Sequence, residues 1–157
     1  MTTITLAHAS PRTRALGIVV AAGAMALAAQ FALPLPGTPV PFTLQPLVVV
    51  LAGLLLGPAD AAAAMVAYLI AGMAGLPVWA PMGAPGVARL LGPTGGYLLA
   101  APFAAALTGR FGAGRAAYGA RAVAAMAGML VLYLGGLAQL AVLQGSVTAA
   151  AWLGVAP

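Results

Sequence analysis

Long apolar runs alternate along the chain with short segments rich in glycine and proline. The apolar runs cover residues 15–33, 46–56, 61–75, 93 or 94 to 107, and 116–143. A helix of about 20 apolar residues can cross the hydrocarbon core of a bilayer. The pattern therefore predicts about five membrane spans, followed by a short helical piece ending at Pro157 that is too short to cross.

Composition points to the same class of protein. Hydrophobic residues make up 64% of the 157 residues and charged residues 4%, and the mean hydropathy is +1.11. A soluble domain cannot leave so little polar surface facing water. We therefore expect an all-α integral membrane protein. It has a cytoplasmic N-terminal tail over residues 1–14 and one compact transmembrane helix bundle over residues 15–157.

The first apolar run has a second interpretation. Two arginines, an apolar stretch and the string Ala26-Leu27-Ala28 resemble a cleaved signal peptide. Further spans follow at once, which favours an uncleaved first helix.

Two proline-rich segments interrupt the apolar pattern. Residues 34–41 contain four prolines, which exclude a helix there. They lead into Thr43 and Gln45, which either join the second helix or lie in a loop that dips into the membrane. At that depth both side chains need hydrogen-bond partners. Residues 76–88 form the second loop, where Trp79 fits equally well an interfacial anchor or the wall of a ligand site.

The turns at the other ends of the helices are short. Residues 57–60 predict a tight turn in which Asp60 is the N-cap of the third helix. Residues 109–115 predict a basic loop between the fourth and fifth spans.

The arginines predict the orientation of the bundle, and one of them does not fit the charge rule. With the N-terminus in the cytoplasm, five of the six lie on the cytoplasmic side, as the positive-inside rule requires: Arg12, Arg14, Arg110, Arg115 and Arg121. Arg89 is the exception, because it falls on the outer face with the proline-rich loops. It belongs to the string at residues 87–97, where glycine and proline break the backbone. Such backbone is tolerated in a membrane only where protein or a cavity covers it.

Arg89 therefore indicates a binding site at the outer face. The alternative is an interfacial side chain that snorkels to the lipid headgroups.

Few residues are available for catalysis or metal binding. The chain has one acid, one histidine, no lysine and no cysteine. General acid–base and nucleophilic catalysis need paired groups within hydrogen-bond reach, and metal sites need several ligands. We expect a protein that is not an enzyme and has no cofactor or metal. The glycine patterns fit neither a P-loop nor a dinucleotide fingerprint. The arginines sit at helix ends, which argues against a nucleic-acid face.

Four strings occur in the order PVPFTLQ (39–45), LAGLLLGP (51–58), GLPVW (75–79) and LGPTGGY (91–97). Together they resemble the BioY family, the biotin-specific S components of energy-coupling factor transporters. The resemblance covers the chain from about Ala15 onward. It implies a bundle, normally of six helices, in a prokaryotic cell membrane. It also implies that biotin binds near the outer face, and that a transmembrane coupling subunit with two cytoplasmic ATPases docks on the protein. Ala22 and Ala26 resemble the small-residue pattern by which the first helix meets the coupling subunit.

With biotin as the ligand, each candidate residue has an expected role. Arg89 suits the carboxylate through a bidentate contact. Thr43, Gln45 and Thr94 offer hydrogen bonds, while Trp79 and Tyr97 supply apolar wall.

The sequence also differs from the family pattern at its C-terminal side. Family members usually continue into a sixth helix, whose acidic residue and lysine contribute to the ligand site, whereas this sequence stops at Pro157. We therefore expect part of the pocket to be missing. Two other functions stay open: an S component for another small vitamin, and a membrane assembly subunit whose small-residue faces merely pack.

Overall fold

A computed structural model describes residues 10–114 and 117–145. Six helices and two short strands lie in this part of the chain, in the order α1 Pro11–Gln30, β1 Ala32–Leu33, β2 Phe42–Thr43, α2 Gln45–Leu56, α3 Pro58–Met73, α4 Ala88–Leu91, α5 Gly95–Gly112 and α6 Tyr118–Gln144. The architecture is a bundle of five longer helices, with α4 as a single turn between α3 and α5. The short helical piece predicted to end at Pro157 lies outside the described residues.

The fold is not purely helical, because the loop between α1 and α2 is closed by a small antiparallel ladder. Ala32 pairs with Thr43, and Leu33 pairs with Phe42. The four prolines of this loop all lie between the two strands, where their missing N–H groups break no ladder bond.

The first helix begins earlier than the sequence predicts. It starts at Pro11, which suits a first helical position because proline has no N–H to leave unbonded. The Ser10 hydroxyl caps it by accepting from the Thr13 N–H at 3.3 Å. Arg12 and Arg14 are therefore helical residues and do not belong to the tail predicted over residues 1–14.

The prediction that Asp60 caps the third helix is wrong. Gly57 alone joins α2 to α3 with a φ of 82°, and α3 begins at Pro58. Asp60 therefore lies within the first helical turn, and its carboxylate is buried against α1. It accepts from Arg14 through Nε at 2.8 Å and Nη2 at 2.7 Å. This bidentate pair joins the start of α1 to the start of α3.

The fourth long helix continues past its predicted end at residue 107. It runs to Gly112, so Gly109 and Arg110 are helical, although the sequence predicts a basic loop from residue 109. Gly109 lies so close to the link between α2 and α3 that a side chain has no room there: a Cβ would come within 2.6 Å of Pro58 N. The loop that remains before α6 is short.

Close helix packing centres on α5, which contacts α2, α3 and α6. A Cβ on Gly53 of α2 would come within 2.7 Å of the Thr108 Cβ, and one on Gly135 of α6 would come within 2.8 Å of the Gly96 carbonyl oxygen. Small residues at these crossings allow the helix backbones to approach, which is the usual way in which membrane helices pack.

Two of the described helices, α1 with 20 residues and α6 with 27, are long and apolar enough to cross a membrane. The apolar helices α2 and α3 are shorter, with 12 and 16 residues. A 12-residue helix is about 18 Å long, against about 30 Å for the hydrocarbon core. The prediction of about five complete spans is therefore met by length and composition for α1 and α6 only.

The helices alternate in direction, so the bundle has two distinct ends. The basic end holds the starts of α1, α3 and α6 with the end of α5, and it carries Arg12, Arg14, Arg110 and Arg121. The cavity end holds the ends of α1 and α3 with the starts of α2 and α5, and it carries Arg89. Arg115 lies outside the described residues. The structure thus separates Arg89 from the other described arginines, as the sequence predicts.

Candidate functional site

A cavity of about 310 Å³ opens at the cavity end. Its volume lies at the lower end of the range for small-molecule sites, about 300–1,000 Å³. The loop before α2 and the loop between α3 and α4 line it, together with residues of all six described helices. All six residues that the sequence predicts for ligand binding line it: Thr43, Gln45, Trp79, Arg89, Thr94 and Tyr97. Residues that lie up to 54 positions apart in the sequence thus meet around one space.

Arg89 is held by the loop that precedes it. It lies on α4 and is only 7% exposed. Its two terminal nitrogens donate to the carbonyl oxygens of Met82 and Ala80. Gly83 makes this closure possible, because its φ of 104° is rarely adopted by other residues and a Cβ there would collide with Arg89 Nη1. A snorkelling side chain keeps its charged head in water or headgroups, so burial argues against that interpretation.

The Arg89 charge has no acidic partner in the described part of the chain. The only acid in the sequence is Asp60, which pairs with Arg14 at the basic end. Burial lowers the pKa of the Arg89 guanidinium, and the electrostatic influence of the Tyr68 hydroxyl partly opposes this shift. An arginine keeps its proton in proteins. The cavity wall therefore carries a positive charge that only a ligand or a residue outside the described ranges could neutralise.

A chain of hydrogen bonds along the cavity wall joins β2, α2 and α3. The Thr43 hydroxyl donates to Gln45 Oε1 at 3.3 Å, and Gln45 Nε2 donates to the Tyr68 hydroxyl oxygen at 3.0 Å. Thr43 and Gln45 thus have the partners that polar groups at depth require. Helix α2 begins at Gln45, while Thr43 belongs to β2, so the two residues do not share one helix.

The sequence analysis missed Tyr68, which is 2% exposed and lines the cavity. A signal was present, since Tyr68 carries the only polar side chain in the apolar run over residues 61–75. A buried hydroxyl in such a run needs a partner.

Trp79 is buried in the cavity wall, which argues against an interfacial anchor. It is 7% exposed, and its ring lies against Gly72 of α3, where any larger residue would collide with it. The Gln30 amide nitrogen donates to the Trp79 carbonyl oxygen at 3.2 Å and so joins the end of α1 to this loop.

Tyr97 and Thr94 line the cavity from the start of α5. The Tyr97 ring packs edge-to-face on Tyr133 of α6, with centroids 5.9 Å apart and planes at 85°. Gly136 leaves the space that the Tyr97 ring occupies. Tyr133 also lines the cavity, and the sequence analysis did not single it out.

Gln139 of α6 holds the backbone between α4 and α5. Its amide nitrogen donates to the carbonyl oxygens of Leu90 at 2.7 Å and Gly92 at 2.8 Å. Because Leu90 follows Arg89 directly, Gln139 restrains the segment that carries the guanidinium.

The two candidate docking residues lie elsewhere, on α1. Ala22 and Ala26 are both half-buried and pack against the core of this chain. Gly23 between them is exposed, and a Cβ there would meet nothing within 4 Å. A role for Ala22 and Ala26 in docking stays a prediction.

Comparisons with known proteins agree on one family. The model of the BioY family matches residues 3–157. The "Probable biotin transporter BioY" of Pyrococcus horikoshii is 44% identical over 96 residues, which are 61% of this chain and 56% of that protein. The "Biotin transporter BioY" of Thermotoga maritima is 34% identical over 99 residues, 63% of this chain and 58% of that protein. The chain thus spans about half the length of the curated relatives it matches.

A solved structure has the same fold. The crystal structure of "the S-component for biotin from an ECF-type ABC transporter" superposes with a TM-score of 0.74 at 22% sequence identity, covering 90% of this chain and 80% of that one. Since the family model matches nearly the whole sequence, the chain belongs to the BioY family.

Proposed function

We propose that this chain is the substrate-binding subunit of a biotin uptake transporter, which captures biotin at the outer face of the cell membrane. The observation that carries the proposal is the Arg89 guanidinium, which is buried in a cavity wall and has no acidic partner in residues 10–114 and 117–145. Biotin is a monocarboxylate with an apolar stem and a polar ureido ring, so it supplies the missing negative charge. The printed names of the relatives as biotin transporters support this choice of ligand.

Arg89 can bind a carboxylate without leaving its loop. A guanidinium has five N–H donors, and two of them are used by the carbonyl oxygens of Met82 and Ala80. Each terminal nitrogen keeps one further hydrogen, and Nε is buried without a partner. A carboxylate bound by a guanidinium is attracted by its positive charge and matches the geometry of its N–H groups. The loop thus presents Arg89 in a preset position.

The other lining residues suit the rest of the molecule. Trp79 and Tyr97 supply apolar surface for the stem, while Thr94 and the hydrogen-bonded pair Thr43 and Gln45 supply the polar part of the wall for the ureido ring. Few polar groups among many apolar ones are typical of a site that fixes the orientation of a small ligand.

The membrane arrangement and the partners are part of the same proposal. The N-terminus and the basic end face the cytoplasm, and the five longer helices form a multi-pass bundle within the bilayer. A transmembrane coupling subunit docks on the α1 face around Ala22 and Ala26, and cytoplasmic ATPase subunits drive transport. The similarity in fold to a biotin S component of an ECF-type transporter supports partners of this kind.

Direct titration tests the proposed ligand. The full chain, purified in detergent, is titrated calorimetrically with biotin, with lipoate and with thiamine. Lipoate shares the carboxylate and the apolar stem but lacks the ureido ring, whereas thiamine is a cation. We expect saturable binding of biotin, weaker binding of lipoate and none of thiamine. Absence of saturable biotin binding, or tighter binding of thiamine, would contradict the proposal.

A further inference from the structure

The hydrogen bonds of the Gln45 side chain show which of its two amide atoms faces Tyr68. The amide oxygen accepts from Thr43, so the amide nitrogen is the atom that faces Tyr68, and it donates to the Tyr68 oxygen. A phenolic hydroxyl has one hydrogen to donate. Because Gln45 acts as donor, the Tyr68 hydrogen has to point to another acceptor.

No such acceptor is found in the described part of the chain. The hydrogen bond observed for the Tyr68 hydroxyl is the one from Gln45. The charged group that influences it is Arg89, which can only donate. Tyr68 lines the cavity and is otherwise buried, with 2% of its surface exposed, so the cavity is the side from which an acceptor can reach it. A buried donor without an acceptor is costly, by about 1–3 kcal/mol.

We propose that Tyr68 is a ligand-binding residue, whose hydroxyl Gln45 orients so that it donates to an acceptor oxygen of the ligand. The inference rests on the proposed function, since biotin provides the acceptor. Two oxygens of biotin qualify, the carboxylate and the ureido carbonyl. Thr43 and Gln45 then act mainly through Tyr68, because their polar atoms are bonded to each other and to it. Polarisation along such a chain strengthens the final donor.

The test compares Tyr68→Phe with Tyr118→Phe in the full chain. The first change removes the donor and keeps the ring. The control removes the hydroxyl of a tyrosine that is 81% exposed at the basic end. We expect Tyr68→Phe to weaken biotin binding about tenfold, the equivalent of one hydrogen bond, and Tyr118→Phe to leave it unchanged. Unchanged binding in Tyr68→Phe would overturn the inference. That result is also expected if the Gln45 amide is turned around, since Tyr68 would then donate to Gln45.

Biotin amide identifies the acceptor. A tenfold loss with biotin but not with the amide assigns the carboxylate, and an equal loss with both assigns the ureido carbonyl. Either result supports donation by Tyr68.

The orienting role of Gln45 is tested with Gln45→Met, which has a similar shape but no donor. In this background the Tyr68 hydroxyl can rotate, so we expect Tyr68→Phe to cost less than about threefold. A full tenfold cost in both backgrounds would show that Gln45 does not orient the hydroxyl.

If Tyr68→Phe does not fold, Gln45→Met alone must weaken biotin binding several-fold, and unchanged binding would overturn the inference. If the wild-type chain binds no biotin, the proposed function fails and the inference with it. If the wild type binds biotin and both variants bind it equally well, only the inference fails.

Discussion

The two ends of the bundle each hold a buried ionised group, and they differ in what neutralises it. At the basic end, Asp60 accepts two hydrogen bonds from Arg14, and the pair joins two helices. At the cavity end, Arg89 contacts carbonyl oxygens but no acid of the described chain. A charge satisfied inside the protein contributes to the fold, whereas a charge left unneutralised in a cavity indicates a ligand. Changes at the cavity end should therefore alter binding, and changes at the basic end should alter stability.

The largest expected effect is on biotin binding by Arg89→Ala. Removing one partner of a buried ion pair costs about 3–5 kcal/mol, so the Kd should rise by at least a hundredfold. Arg89→Lys should recover only part of the affinity, because a point charge loses the planar fork geometry. Calorimetric titration of both variants measures this. If Arg89→Lys bound biotin as tightly as the wild type, the geometry of the guanidinium would not matter. The contrast between the two ends of the bundle would then lose its main support.

The second-largest effect on biotin affinity is expected for Gly72→Ala. A Cβ at this position would collide with the Trp79 ring, so the ring must move and the wall of the cavity with it. Overpacking of this kind costs about 1–3 kcal/mol. We expect a weaker affinity for biotin, measured by titration. Gly23→Ala is the matched control, since a Cβ there meets nothing within 4 Å. Equal affinities in the two variants would show that the position of Trp79 does not matter.

A smaller effect is expected for Gln139→Leu. The change leaves the carbonyl oxygens of Leu90 and Gly92 without their shared donor, which loosens the segment next to Arg89. We expect biotin affinity to fall about three- to tenfold, in keeping with one or two lost hydrogen bonds. Gln144→Leu at the exposed end of α6 serves as the control and should bind normally. Normal binding by Gln139→Leu as well would mean that Arg89 holds its position without help from α6.

The smallest effect on binding is expected at the basic end. Asp60→Asn and Arg14→Ala should both lower the thermal unfolding temperature in detergent and leave biotin affinity unchanged. Arg14→Ala should be the more damaging, because it leaves a buried carboxylate unpaired, whereas Asp60→Asn leaves an arginine side chain that is 44% exposed. A change in biotin affinity in either variant would show that the two ends are not independent.

The helices themselves could be predicted from the sequence, because apolar runs bounded by proline and glycine define them. Helix α2 begins one residue from the predicted Pro46, and α6 ends one residue from the predicted residue 143. The pairing of Arg14 with Asp60 could not be predicted, since the residues lie 46 positions apart and only helix packing brings them together. Helix α4 escaped prediction because four residues carry no periodicity.

The candidate site was partly predictable for a related reason. Polar residues in apolar surroundings are conspicuous, so Thr43, Gln45 and Arg89 stood out, and they line one cavity. Tyr68 was overlooked because a tyrosine within an apolar helix resembles ordinary core. Its importance comes from the direction of the Gln45 hydrogen bonds, which no sequence pattern shows.

The central claim, that Arg89 binds the carboxylate of the ligand, is tested most directly by comparing biotin with biotin amide. Both molecules have the same stem and ring, so only the charged group differs. The wild-type chain should prefer the acid by at least tenfold, since hydrogen bonds to charged groups contribute about 1.5–3 kcal/mol. In Arg89→Ala most of that preference should disappear, even if disorder of the loop weakens the binding of both ligands. A variant that still prefers the acid as strongly as the wild type would contradict the claim.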